Sequence, residues 1–149
     1  MSTVASGSAR DGGREFDVVL YGATGFTGRQ TAAYFARHAP AGLRWAVAGR
    51  DPHRLQGVAL RNGAPPWIAC DADDREGLAR LAARTRVVLS TVGPYARLGQ
   101  ALVEACVAER THYVDITGET PWVRGLVDRL HAAAERTGTR IVPCCGYDS

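Results

Sequence analysis

The chain contains no lysine: all 18 of its basic residues are arginine. Within these residues that excludes a Schiff-base amine, the lysine of a phosphate-binding P-loop and a Tyr-x-x-x-Lys pair. Cysteine is scarce. Cys70, Cys106, Cys144 and Cys145 form no Cys-x-x-Cys pair and no zinc-ligand spacing. All four are expected as small buried core residues, and no metal is expected. The vicinal pair Cys144-Cys145 stands out only because it falls near the end of a predicted strand. No run approaches the roughly eighteen apolar residues of a membrane span. The net charge of +3 is too small and too dispersed to point to a nucleic-acid partner. His38, His53, His112 and His131 have no ligand-like spacing and read as surface or cap residues. Residues 1–14, rich in Ser, Gly and Ala, lack the apolar stretch of a signal peptide. They read as a disordered leader, with the cytoplasm as the expected location.

What remains, residues 15–149, is enough for one domain with a real core, and 46% of the chain is apolar. Strand and helix patterns alternate along it. Strands are predicted at residues 17–21, 44–48, 67–70, 87–92, 112–116 and 140–144. The first helix spans residues 26–38 and stops before Pro40. Asp51-Pro52 opens the second, as N-cap followed by proline at the first helical position. Asp73 or Asp74 caps the third. Leu98, Leu102, Ala105 and Cys106 mark one face of a fourth, running to about Arg110. Thr120-Pro121 repeats the cap-then-proline signal, and Gly138 ends that last helix. Six strands with intervening helices predict an α/β Rossmann domain: a doubly wound parallel sheet in the order 3-2-1-4-5-6. A ligand then lies across the carboxyl ends of strands one and four.

Those ends carry the least ordinary residues. Tyr21-Gly22-Ala23-Thr24-Gly25-Phe26-Thr27-Gly28 follows the first strand and opens the first helix. Glycines three apart at such a turn are suited to a dinucleotide pyrophosphate. Gly22 permits the tight turn, Gly25 lets backbone approach the phosphates, and Gly28 lets helix and sheet pack closely. The helix N-terminus adds free N–H groups and partial positive charge. Thr24, Phe26 and Thr27, within the loop and first turn, complete this candidate cofactor site.

The end of the second strand selects the cofactor. An acid there would bind the ribose 2′-hydroxyl of NAD, whereas a basic residue can take the 2′-phosphate of NADP. Arg50 offers a planar donor fork, and Asp51 has a competing task as helix cap. NADP is therefore expected over NAD. Arg54 is a second phosphate candidate, and Asp71 a candidate at the adenine edge; both are also explained as ordinary surface or turn residues. Thr91, Val92 and Gly93 end the fourth strand beside the ribose and nicotinamide. Tyr95 is a weak catalytic candidate, as a proton donor or as a wall of the substrate pocket, with no lysine or base visible beside it. Asp115 and Thr117 share a strand face, and with Glu119 they read first as capping and turn residues. Gly146-Tyr147-Asp148-Ser149 is expected at the same rim.

Taken together, these segments resemble the NADP-binding domain of the saccharopine dehydrogenase-like family. The resemblance rests on residues 21–29, Ala48-Gly49-Arg50, Val92-Gly93-Pro94-Tyr95 and residues 99–103. It continues through His112-Tyr113-Val114-Asp115-Ile116-Thr117-Gly118-Glu119 and the closing Gly146-Tyr147-Asp148-Ser149. It is strongest to the branch that holds trans-acting enoyl reductases. It implies a nicotinamide-dependent oxidoreductase, and for that branch hydride transfer from NADPH to a C=C bond of a lipid or polyketide intermediate. Saccharopine dehydrogenases proper act on a C–N bond. The family's second domain, which binds substrate and often forms a homodimer, is expected to be absent from this chain, so that the chain binds cofactor but is inactive alone. A non-catalytic NAD(P)-sensing or scaffold module and an extended short-chain reductase or epimerase stand as alternatives.

Overall fold

The computed structural model describes residues 13–146. Nearly all of the expected leader, and Tyr147 to Ser149 of the expected rim segment, lie outside the described residues. Six strands form one wholly parallel sheet: β1 (Phe16–Tyr21), β2 (Trp45–Gly49), β3 (Trp67–Ala69), β4 (Thr85–Ser90), β5 (His112–Asp115) and β6 (Ile141–Val142). Their order is β3-β2-β1-β4-β5-β6, as expected for the doubly wound fold. The connecting helices are α1 (Phe26–His38), α2 (Pro52–Arg61), α3 (Arg75–Ala83), α4 (Tyr95–Leu98), α5 (Gln100–Ala108) and α6 (Thr120–Thr137).

Strand alternation divides the core between two faces. Leu20 and Val47 point to the face where Ala32 of α1 and Leu55, Val58 and Ala59 of α2 close over them. Val19, Tyr21, Ala46 and Ala48 point to the other. There Leu78 and Leu81 of α3, Leu102, Val103 and Cys106 of α5, and Trp122 and Leu126 of α6 pack. The central strands are buried on both sides, so they read as near-continuous apolar runs. At the amino-terminal rim, Arg44 grips Asp17 through its own N–H (2.9 Å) and its guanidinium (2.9 Å). Those bonds pull the Asp17 carboxyl down to about 2.

Several helix boundaries follow the capping residues. The Asp51 carboxylate accepts the Arg54 N–H at 3.1 Å, and Asp74 accepts that of Gly77 at 2.9 Å. Gly138 ends α6 in the left-handed conformation, with φ of 71°.

Four expectations need correction. β4 begins two residues earlier than predicted, because Thr85 pairs with Phe16. It ends at Ser90, whose pairing with Tyr21 is closed by the last ladder bond, from the Thr91 N–H to the Tyr21 carbonyl (2.9 Å); β1 itself stops there, as Gly22 turns away at φ of 95°. β6 shrinks to two residues, since Pro143 has no N–H to pair and Cys144 turns the chain at φ of 64°. Glu119, not Thr120, occupies the N-cap position of α6, and its side chain does not cap that helix. Cys70 and Cys106 are buried as expected, but Cys144 and Cys145 are exposed.

Candidate functional site

In-register pairing aligns Tyr21 with Ala48 on one side and Ser90 on the other, and Ser90 with Asp115. The loops after β1, β2, β4 and β5 therefore emerge along one rim. The loop after β1 is built around its glycines. Gly22 takes φ of 95°, which L-residues rarely adopt, while its N–H bonds the Ala48 carbonyl at 2.8 Å. A Cβ there would lie 2.6 Å from Val92 Cγ2 and 2.8 Å from Thr91 Oγ1, so the loops after β1 and β4 are in direct contact. A Cβ on Gly28 would sit 2.0 Å from the Gly22 carbonyl oxygen; no side chain fits between α1 and the loop.

Gly25 differs from both. It is the N-cap of α1 with extended backbone, and a Cβ would meet only the Gly22 oxygen, at 3.5 Å. No side chain caps α1, its first turn holds no acid, and Phe26 and Thr27 are exposed. The space over Gly25 is thus open and faced by a helix N-terminus, a combination that suits a phosphate group.

After β2, Asp51 serves the α2 cap, so the acid beside Arg50 is already engaged. Arg50 is exposed, and among the described residues it has no ion-pair partner. Arg54 extends from α2 toward the loop after β1, with a long contact from its guanidinium to the Thr24 carbonyl at 3.4 Å. Asp71 is exposed at the end of β3, where its carboxylate accepts the Asp73 N–H (3.2 Å) in a local turn. Beneath it, Tyr21 donates its hydroxyl to the Cys70 carbonyl at 3.3 Å. Burial, then the charges of Cys70, Asp71 and Asp73, push that phenol above its ordinary range.

After β4, the Thr91 hydroxyl bonds the Tyr21 and Gly22 carbonyls at 3.3 and 3.2 Å, and Val92 packs against the same turn. Gly93-Pro94 follows with a cis peptide and is exposed. Tyr95 turns inward. Its hydroxyl donates to the Ser90 carbonyl at 3.1 Å, and its ring lies 5.4 Å from that of Trp122. Burial first, then the nearby Asp115, pushes the Tyr95 phenol up to about 12.

After β5, Asp115 is buried. Its carboxylate accepts the Tyr113 hydroxyl (2.8 Å) and the N–H groups of Thr117 and Cys144 (3.0 Å each). The Thr117 hydroxyl in turn accepts the Glu119 N–H at 3.0 Å. Glu119 then reaches across to the β4 loop, where its carboxylate accepts the N–H groups of Tyr95 (2.7 Å) and Ala96 (2.9 Å). Sequence reasoning placed Glu119 in a local turn before Thr120-Pro121. Its partners lie more than twenty residues upstream, and no local pattern announces them. His112 accepts the Arg140 N–H at 3.0 Å, a link between the starts of β5 and β6.

The structure brings Gly22, Gly25, Gly28, Thr91, Val92 and Gly93 together at the β1–β4 junction, with Arg50 and Arg54 on the β2 side. An apolar groove of about 320 Å³, lined by Val123, Leu126, Val127, Ile141 and others, lies apart from these residues, between α6 and β6.

The family model described as the saccharopine dehydrogenase NADP-binding domain matches residues 18–142. The chain is 49% identical over 140 residues to the trans-acting enoyl reductase of Mycobacterium tuberculosis, covering 91% of this chain and 33% of that protein. Identity to the trans-acting enoyl reductase of Mycobacterium ulcerans is 45%, with the same coverage. The chain thus spans about one third of the length of these relatives. Among solved structures, apo saccharopine dehydrogenase (L-Glu forming) from Saccharomyces cerevisiae superposes with a TM-score of 0.73 at 23% identity, covering 87% of this chain and 27% of that one. At that identity the likeness concerns the fold.

Proposed function

The chain belongs to the saccharopine dehydrogenase NADP-binding domain family, and we propose on that footing that it holds NADP(H) across the β1–β4 junction for hydride transfer. The carrying observation is the open N-terminus of α1 over Gly25, beside a loop in which Gly22 and Gly28 leave no room for side chains. The pyrophosphate sits over Gly25 and the first turn of α1, with Thr24, Phe26 and Thr27 as its walls. The ribose 2′-phosphate lies at Arg50, with Arg54 close by, and the adenine lies toward Asp71. The nicotinamide end lies toward Thr91, Val92 and Gly93. When bound, the cofactor supplies the hydride; these residues supply orientation and charge. Tyr95 is a wall supporting the β4 loop, since its hydroxyl is already donated to Ser90.

For a protein of the relatives' full length, the reaction favoured is reduction of a C=C bond conjugated to a carbonyl, as the names of the relatives suggest. Full-length protein should consume NADPH with an enoyl thioester and not with an imine. Oxidation of NADPH by the imine alone would favour a C–N dehydrogenase instead.

The cofactor assignment has its own test. Arg50→Ala should weaken NADPH binding by about 1–3 kcal/mol, the worth of a charge-assisted phosphate contact, with little change for NADH. Calorimetric titration of both cofactors measures the ratio. A ratio unchanged by the substitution would remove Arg50 from the 2′-phosphate.

A further inference from the structure

Thr91 to Ala96 is anchored at both ends, and the Pro94 carbonyl also accepts the N–H groups of Arg97 (3.2 Å) and Leu98 (3.0 Å) in α4. At one end the Thr91 hydroxyl bonds the Tyr21 and Gly22 carbonyls. At the other, the two oxygens of Glu119 each accept one backbone N–H, from Tyr95 at 2.7 Å and Ala96 at 2.9 Å. Between them Gly93 and Pro94 are exposed on the rim. Pro94 has no N–H and no side chain caps α4 from the N-cap position, so Glu119 supplies from the β5 loop the acceptor that local sequence lacks. Glu119 is itself held. Its N–H bonds the Thr117 hydroxyl, and the Thr117 N–H bonds the buried Asp115 carboxylate. A line of hydrogen bonds therefore runs from the interior of β5 to Tyr95 and Ala96, directly after the Gly93-Pro94 tip.

From this geometry we infer that Glu119 is a positioning residue: it sets the height of the Gly93-Pro94 tip and thereby the seat of the nicotinamide end of the cofactor. The inference rests on the cofactor reading above. Arg50, beyond β2, marks the 2′-phosphate end, and a dinucleotide crossing the switch point brings its other end to the loop after β4. Both carboxylate oxygens of Glu119 are already engaged by the Tyr95 and Ala96 N–H groups. Its substitution should act on the nicotinamide half alone, which a general loss of stability would not do.

Two ligands separate these effects: NADPH, and 2′-phospho-ADP-ribose, which lacks the nicotinamide. The wild-type chain should bind NADPH more tightly. Glu119→Ala should weaken NADPH binding by about 10-fold, about 1.4 kcal/mol, while 2′-phospho-ADP-ribose stays within about two-fold. Glu119→Gln keeps one acceptor oxygen and should fall between. Thr117→Val removes the bond that holds Glu119 and should reproduce the selective loss by a second route. Circular dichroism confirms the fold of each variant. Equal loss of both ligands, loss of neither, or equal wild-type affinity for the two would overturn the positioning role and leave the cofactor site standing. A wild-type chain that binds neither ligand would overturn the cofactor reading itself.

Discussion

Gly25→Val should leave the domain folded and take NADPH binding below detection, a loss of at least about 100-fold. Gly25 has an extended backbone, with φ of −74° and ψ of 175°, which valine adopts without strain. Its Cβ would touch only the Gly22 oxygen, at an ordinary 3.5 Å. Replacing glycine by valine at an N-cap costs about 1 kcal/mol, too little to unfold a domain. The added methyl groups instead enter the open space proposed for the pyrophosphate. Circular dichroism and cofactor titration on the same sample give the answer. A folded variant that keeps its affinity would refute the cradle.

Gly28→Ala, three residues away in the same motif, should fail for the opposite reason. The new Cβ would lie 2.0 Å from the Gly22 oxygen and 2.8 Å from Ala23 Cα, both backbone atoms that no rotamer change can move aside. Either α1 lifts from the sheet or the loop distorts. The expected loss is about 3 kcal/mol of stability, which for a chain of this length lowers the melting temperature by about 10 °C. Thermal unfolding without ligand measures it. An unchanged melting temperature would show that α1 and the loop can separate at no cost, contrary to the packing seen here. The two substitutions thus test a division of one motif into a glycine proposed to serve the ligand and a glycine required by the packing.

Much of this architecture was legible because its determinants are local. Asp51-Pro52 and Asp74 cap the helices they precede, Gly138 ends α6, and the apolar runs of β1 and β4 declare central strands. The glycine spacing marks the turn from β1 into α1 in the same local way. What escaped depends on partners far along the chain. The start of β4 at Thr85 is set by pairing with Phe16, and its end by the end of its partner strand at Tyr21. β6 stops where Pro143 removes a donor, although its apolar pattern continues. Cys144 and Cys145 are exposed at the turn that follows, their N–H groups bonded to the Asp115 side chain and carbonyl. The clamp of Glu119 on Tyr95 and Ala96 joins two rim loops that become neighbours only once β4 and β5 pair.

The most direct measurement is calorimetric titration of the unmodified chain with NADPH and with NADH under identical conditions. Saturable binding of one NADPH per chain, clearly tighter than NADH, is the predicted result, from the phosphate cradle over Gly25 and from Arg50 beyond β2. Absence of binding by NADPH, or equal affinity for the two cofactors, would contradict the account.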